Sequence, residues 1–304
     1  MIFTRENIIN KYPWIDEDNH QFIISANYDG LICAALLNHF KGWNLVGYYN
    51  LESIWLSDDA LKNKNQLIWV DLNVIPKQGR SIGGHITSIK DEIVPGFDTS
   101  LNPNIIAKIN SSNFKRKFPL STILLLLWIY NVTIPKTLLA KMLILHSDSA
   151  WLKAQHYIDN TNWWINNLRE YRWKWFLNNI DSKTYENRVE DLLYPKINEI
   201  YATSGFSKLS SKHLNIRSIE LQFNPDNDQD IIHNLINLFA TTLKWTPPMI
   251  PKISTKINGE KYRVALKNVK KNGLKKFIKE KKIFSYAITS PEIFTYTTFS
   301  HIRK

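Results

Sequence analysis

Phe22-Ile-Ile-Ser-Ala-Asn-Tyr-Asp29-Gly30-Leu31-Ile-Cys-Ala-Ala-Leu-Leu37 is the stretch on which the fold turns. An apolar run, Phe22 to Ile24, breaks at Ser25 into a polar tip that carries Asn27 and Asp29, and the small residues Cys33, Ala34 and Ala35 then open a helix able to pack closely. A strand followed at once by such a helix is the opening of an α/β unit, and a carboxylate at that turn stands at the carboxyl end of a parallel strand, where open α/β sheets bind ligands.

Working outward, strands are expected near 21 to 26, 44 to 49 and 67 to 71, and helices near 31 to 41, 119 to 130 and 135 to 146. This alternation predicts a parallel sheet with helices on its faces. Residues 72 to 118 are punctuated by Pro76, Gly79, Gly83, Gly84, Pro95, Gly96 and Pro103, and a loop of that length in a compact domain is usually functional. Three domains are expected: 1–150, α/β; 151–195, a helical connector rich in tryptophan; and 196–304, a smaller basic α+β unit entered through the hinge-like Pro247-Pro248-Met-Ile-Pro251.

Three further apolar runs end in one potential metal ligand each. Leu67-Ile-Trp-Val-Asp71 delivers Asp71, Ser81-Ile-Gly-Gly-His85 offers a histidine after two glycines, and Leu143-Ile-Leu-His-Ser-Asp148 delivers a third aspartate. In this order the four segments resemble the motifs of the DHH phosphoesterase superfamily, over roughly residues 20 to 150. The resemblance implies a divalent-metal-dependent phosphodiesterase or exonuclease acting on single-stranded nucleic acid or short oligonucleotides. It implies one retained ion, Mn²⁺ or Mg²⁺, held by Asp29, Asp71, His85 and Asp148. The ligands of the family's other ion fall at Ile23 and Asn27, which do not serve, although Asn27 could orient a water. Motif three aligns as Gly83-Gly84-His85 or as Gly84-His85-Ile86, so His85 is either a metal ligand or the histidine that contacts the phosphate. Catalytic roles therefore fall on Asp71, His85 and Asn27.

Physical chemistry agrees with a cation wherever such carboxylates converge. Two of them about 4 Å apart repel by roughly 4 kcal/mol at an effective dielectric near 20, and oxygen ligands with one imidazole suit Mn²⁺ or Mg²⁺. Each residue also has a purely structural alternative. Asp29 before Gly30 can cap a helix or make a turn, Asp71 can end a strand, His85 can sit in a loop, and Asp148 can cap the next helix.

The net charge of +12 is concentrated at one end: residues 252 to 304 hold fourteen Lys and Arg against three Glu. Lys267, Lys270, Lys271, Lys275, Lys276 and Lys279, with Lys115 and Arg116 upstream, are the expected contacts to a nucleic-acid backbone, whose affinity for such a face is salt-dependent and sequence-independent. A solvated helix face or an anionic protein partner is the alternative. The aromatics Trp151, Tyr157, Trp163, Trp164, Tyr171, Trp173, Trp175 and Phe176 fit one buried helical face better than a base-stacking surface. Asp226-Asn-Asp228-Gln-Asp230 lacks the Gly and Glu of a calcium loop and fits a polar turn before a helix.

The Gly-Gly-Gly-His segment with which such phosphoesterases grip substrate has no counterpart here, and two rival readings stand beside the enzyme. One is a catalytically impaired DHH-like subunit that binds nucleic acid or scaffolds a complex. The other treats Ser25-Ala-Asn-Tyr-Asp29 as a decayed pyrophosphate loop of an adenylating enzyme. The longest apolar run, Leu120 to Tyr130, is too short to span a bilayer. No secretory leader is expected at Met1-Ile-Phe-Thr-Arg-Glu, and a single cysteine suits a reducing cytoplasm.

Overall fold

In the computed structural model the described residues are 2–72, 74, 80–89, 98–178, 182–200, 205–210, 217–290 and 292–299. Among them the strands run, in chain order, β1 (Gln21–Ser25), β2 (Asn44–Tyr49), β3 (Ser53–Ser57), β4 (Ile68–Val70), β5 (Arg80–Ile82), β6 (Gly205–Ser210), β7 (Arg217–Leu221), β8 (Ile253–Asn258), β9 (Glu260–Ala265), β10 (Ile283–Ser290) and β11 (Ile293–Thr298). The fold is mixed α/β. Its contacts divide the chain into two units, each discontinuous in sequence: Met1–Asp18, Ala26–Trp43 and Pro119–Met249 form one; Asn19–Ser25, Asn44–Phe118 and Ile250–Lys304 form the other. This differs from a sequential partition at residues 150 and 195, because residues 250 to 304 pack with 44 to 118.

The second unit holds a six-stranded sheet in the order β5-β4-β1-β2-β3-β8. β5, β4, β1 and β2 run parallel, while β3 and β8 are each antiparallel to their neighbour. The expected β1, β2 and β4 form because each is a short apolar run. β3 follows β2 through a tight turn in which the Asn50 side chain accepts from the backbone N–H groups of Glu52 and Ser53 and Leu51 takes a positive φ of 75°. The antiparallel sheet β10-β11-β9 lies in the same unit. The helices Leu266–Asn272 and Leu274–Lys281 cover it with Leu266, Val269, Leu274 and Phe277, packed on Tyr286, Ile288, Phe294 and Tyr296.

The first unit is mainly helical. Tyr28–Lys41, capped by Asn27 at its start and Gly42 at its end, packs against Thr122–Ile129 and Gln229–Leu243. Among the described residues no helix is long and apolar enough to cross a membrane. Trp151, Trp164, Tyr171 and Trp173 are buried in this unit, which removes them as a base-stacking surface; the side chains of Trp175 and Phe176 lie outside the described residues. Asp226 to Asp228 form a turn before the helix Gln229–Leu243, as expected.

Burial pushes the hydroxyl of Tyr49 up to about 12, against hydrogen bonds to Ser285 and Thr297 that pull it down. Burial also raises Tyr28, Tyr48, Tyr130, Tyr171, Tyr185 and Tyr194. These groups keep their protons in the folded state at a pH where the unfolded chain releases them. Their contribution is therefore complete below the unfolded pKa near 10 and is lost as pH rises from there towards the folded value, at up to about 1.4 kcal/mol per pH unit for each tyrosine. Melting temperature measured from pH 7 to 12 should be insensitive to these groups up to about pH 9.5 and fall steeply above pH 10.

Candidate functional site at the carboxyl edge of the parallel sheet

In the six-stranded sheet the chain leaves β1 for β2 on one side and returns at β4 on the other. The order therefore reverses between β1 and β4, and such a switch point opens a crevice at the carboxyl ends of the strands. Ser25, the last residue of β1, and Asp71, the first after β4, flank that point, and the Ser25 hydroxyl donates to Asp71 Oδ2. Asp71 takes a positive φ of 60°, a left-handed conformation that Asp tolerates better than most residues. Its other oxygen, Oδ1, meets His85 Nε2 at 3.0 Å. The carboxylate side chain is 1% exposed and the imidazole 35%. A buried carboxylate thus orients a partly exposed histidine.

The two glycines before His85 have a packing reason. A Cβ on Gly84 would stand 2.7 Å from the Phe118 ring, so only glycine lets the backbone pass there. Two buried asparagines that sequence reasoning did not single out hold this segment. Asn104 Nδ2 donates to the carbonyls of Gly84 (2.6 Å) and Ile86 (3.1 Å), Asn102 Nδ2 donates to Ile86 (3.2 Å), and Asn104 Oδ1 accepts from Phe118 N (2.6 Å). Asn-Pro-Asn at 102 to 104 was the available signal, since paired amides beside a proline are suited to bridging backbone groups. Asn104→Ala leaves two carbonyls weakened and one N–H unpaired, each buried orphan costing about 1–3 kcal/mol. A loss of about 2–4 kcal/mol in denaturant unfolding is expected, with His85 misplaced in the folded fraction.

Ile86 and Ile89, just beyond His85, are buried in the same apolar cluster as Leu266, Val269, Leu274 and Phe277, and Phe114 packs against it. Phe114 anchors the 3₁₀ turn Phe114–Arg116, which carries Lys115 and Arg116 on its exposed side. The expected cations Lys267, Lys270, Lys271, Lys275, Lys276 and Lys279 are all exposed on the two helices of that cluster. One core therefore supports the histidine segment and both basic stretches.

Asp29, Asn27 and Asp148 belong to the helical unit. Asn27 Oδ1 accepts from Gly30 N at 2.8 Å and caps its own helix. Asp29 is 4% exposed and caps a different helix: Oδ2 accepts from Thr122 N (2.8 Å), and Oδ1 accepts from Ile123 N (3.1 Å), Ser147 Oγ (2.7 Å) and Cys33 Sγ (3.6 Å). The helix Thr122–Ile129 receives no side-chain cap from its own Ser121, so the carboxylate 93 residues upstream supplies it. Asp148, at φ 52°, pairs through Oδ2 with Lys153 of the helix that follows.

These environments bear on the expected ion. Asp71 and His85 supply an anionic oxygen and an imidazole nitrogen, donor types that suit Mn²⁺ or Mg²⁺, with both Asp71 oxygens hydrogen-bonded and only the imidazole partly exposed. Asp29 accepts from backbone and hydroxyl donors, and Asp148 pairs with an ammonium group. Among the described residues no group of three or more His, Cys, Asp or Glu is placed to hold a metal ion.

Comparison of the chain with protein-family models, with curated proteins and with solved structures found no match.

Proposed function

We propose that this chain is a DHH-like phosphodiesterase acting on single-stranded nucleic acid or short oligonucleotides in a reducing cytoplasm. The observation that carries the reading is the Asp71–His85 pair at the switch point, with Asp71 buried and His85 open. Asp71 meets the imidazole at Nε2 and fixes its orientation, and the ring's proposed role is to exchange a hydrogen bond with a phosphoryl oxygen or a leaving group. Ser25 secures the second oxygen of Asp71 and so limits rotation of the carboxylate. Ion binding centres on Asp71 and His85, and a divalent ion held there would acidify a water and neutralise charge on the phosphoryl group. With Asp29 and Asp148 engaged by donors within the protein, turnover is expected to be slow and the metal weakly held.

A second reading has its own support. Asp29 and Asp148 are used within the protein, one to cap a helix and one in an ion pair, as befits a DHH-like subunit that binds nucleic acid or scaffolds a complex without cleaving it.

One experiment separates the two. A labelled 12-nucleotide single strand is incubated with the protein, with and without Mn²⁺, and both cleavage and binding are followed for the native chain and for His85→Ala. Metal-dependent cleavage that vanishes in the variant while binding persists supports the phosphodiesterase. Salt-sensitive binding with no cleavage by either protein rejects it and supports the binding subunit.

A further inference from the structure

The basic segment is broad, and its cations point in several directions, so a bound strand must select among them. Two adjoining cavities group some of them. One, of about 650 Å³, is lined by Arg263, Lys267 and Lys270 with Val264, Ala265, Ile293 and a single acid, Glu292. The other, of about 480 Å³, is lined by Lys261, Tyr262 and Arg263 with Thr295, Ala287 and their neighbours on β10 and β11. Arg263 belongs to both.

Their common wall is β9, which stands at one edge of the sheet β10-β11-β9. Lys261 and Arg263 point to one face of this edge strand, and Tyr262 between them points to the other, where it meets Tyr296. The helix Leu266–Asn272 begins where β9 ends and sets Lys267 and Lys270 one turn apart on one face. Across the sheet Arg263 pairs with Thr295, and Thr295 with Ala287, so small side chains floor the trough beside the guanidinium. Lys261 lies 3.9 Å from Glu52, an exposed and weak pairing. Among the described residues no ion pair engages Arg263, Lys267 or Lys270.

Tyr262 adds what a plain charge patch lacks. It is 39% exposed, and its ring stacks on Tyr296 at 5.0 Å and 17°. Its hydroxyl is tied to Glu260. The ring is thus held in place with surface left to offer. Aromatic rings that hold successive bases, next to cations that track the backbone, are how proteins grip single strands.

We propose that β9 and the helix Leu266–Asn272 form the single-strand binding track, with phosphates on Lys261, Arg263, Lys267 and Lys270 and a base turned over the edge of β9 to stack on Tyr262 on its other face. This deepens the phosphodiesterase reading and rests on its choice of substrate. The track is distinct from the face bearing Lys275, Lys276 and Lys279 on the next helix. Its support through the core shared with Ile86 links it to the histidine segment.

The test uses the full chain, the same labelled 12-nucleotide single strand and fluorescence anisotropy between 50 and 200 mM salt, with cleavage followed in parallel. R263Q/K267Q/K270Q should weaken binding at least 30-fold at low salt and flatten the slope of log K against log salt by about 2, since each phosphate contact contributes about 0.7 on single strands. K275Q/K276Q/K279Q removes the same charge and should weaken binding clearly less. Equal or greater loss in this second variant overturns the track. Y262A should lose about 5- to 30-fold on a strand with bases and nothing on an abasic strand, whereas Y262F keeps its affinity; equal loss on both strands overturns the stacking role. A native chain that binds no single strand overturns the whole inference. Cleavage that survives R263Q/K267Q/K270Q at undiminished affinity sinks the track but leaves the reaction standing, while binding on the track without cleavage sinks the reaction and leaves the track.

Discussion

Asp29→Ala is expected to destabilise the protein by about 4–6 kcal/mol, because it strands several donors in a site closed to water. Thr122, Ile123 and Ser147 are each no more than 2% exposed, so water cannot replace the lost acceptor without opening the core. Each buried orphan costs about 1–3 kcal/mol, and removing an anion from a partly buried helix N-terminus adds up to about 2 kcal/mol. Set against a typical stability of about 5–15 kcal/mol, this is a large fraction. Asp29→Asn keeps one acceptor but turns an amide NH₂ towards backbone N–H groups, and it should fall between alanine and the native residue. The measurement is thermal and denaturant unfolding in chelator, where no ion is bound. Unchanged stability in chelator, together with loss of stabilisation by Mn²⁺, would reverse the assignment and make Asp29 a ligand.

His85→Ala should lower cleavage of a single strand by about 10²–10⁴-fold, the range over which a positioned acid or base contributes, while leaving strand affinity within a factor of about 2. The imidazole is 35% exposed and not in the core, and its removal takes a partner from one buried acceptor, Asp71 Oδ1. Asp71→Asn should reduce the rate less, by about 10–100-fold, because an amide can still hold the ring while the carboxylate charge is lost. Equal cleavage by native protein and His85→Ala would show that this edge is not where hydrolysis occurs.

Much of the α/β character was legible because its causes are local. β1, β2 and β4 are short apolar runs, and Tyr28–Lys41 carries its own cap in Asn27 and its own stop in Gly42. β3 was missed because its turn uses a leucine at positive φ and an asparagine side chain in place of a glycine. β8 was missed as a member of the main sheet because its register with β3 joins residues about two hundred positions apart, Ser53 with Asn258 and Ile54 with Ile257. No local pattern specifies such a partner.

Asp71 and His85 were both legible as candidates, since each follows a short apolar run, and the fold brings them into contact. That Ser25 shares the carboxylate, and that Asn102 and Asn104 clamp the histidine segment, depended on side chains meeting across the fold. Asp29 is the sharpest case. A carboxylate at a strand-to-helix turn looks the same in sequence whether it awaits a cation or a helix N-terminus, because both present positive charge to it. By itself the sequence determined the strand-helix alternation, the concentration of cations near the C-terminus and the residue types available for phosphate chemistry, all properties of neighbouring residues. Only the tertiary structure decided which partner each buried carboxylate took, because that choice depends on which unpaired backbone N–H, hydroxyl or ammonium the fold brings within about 3 Å.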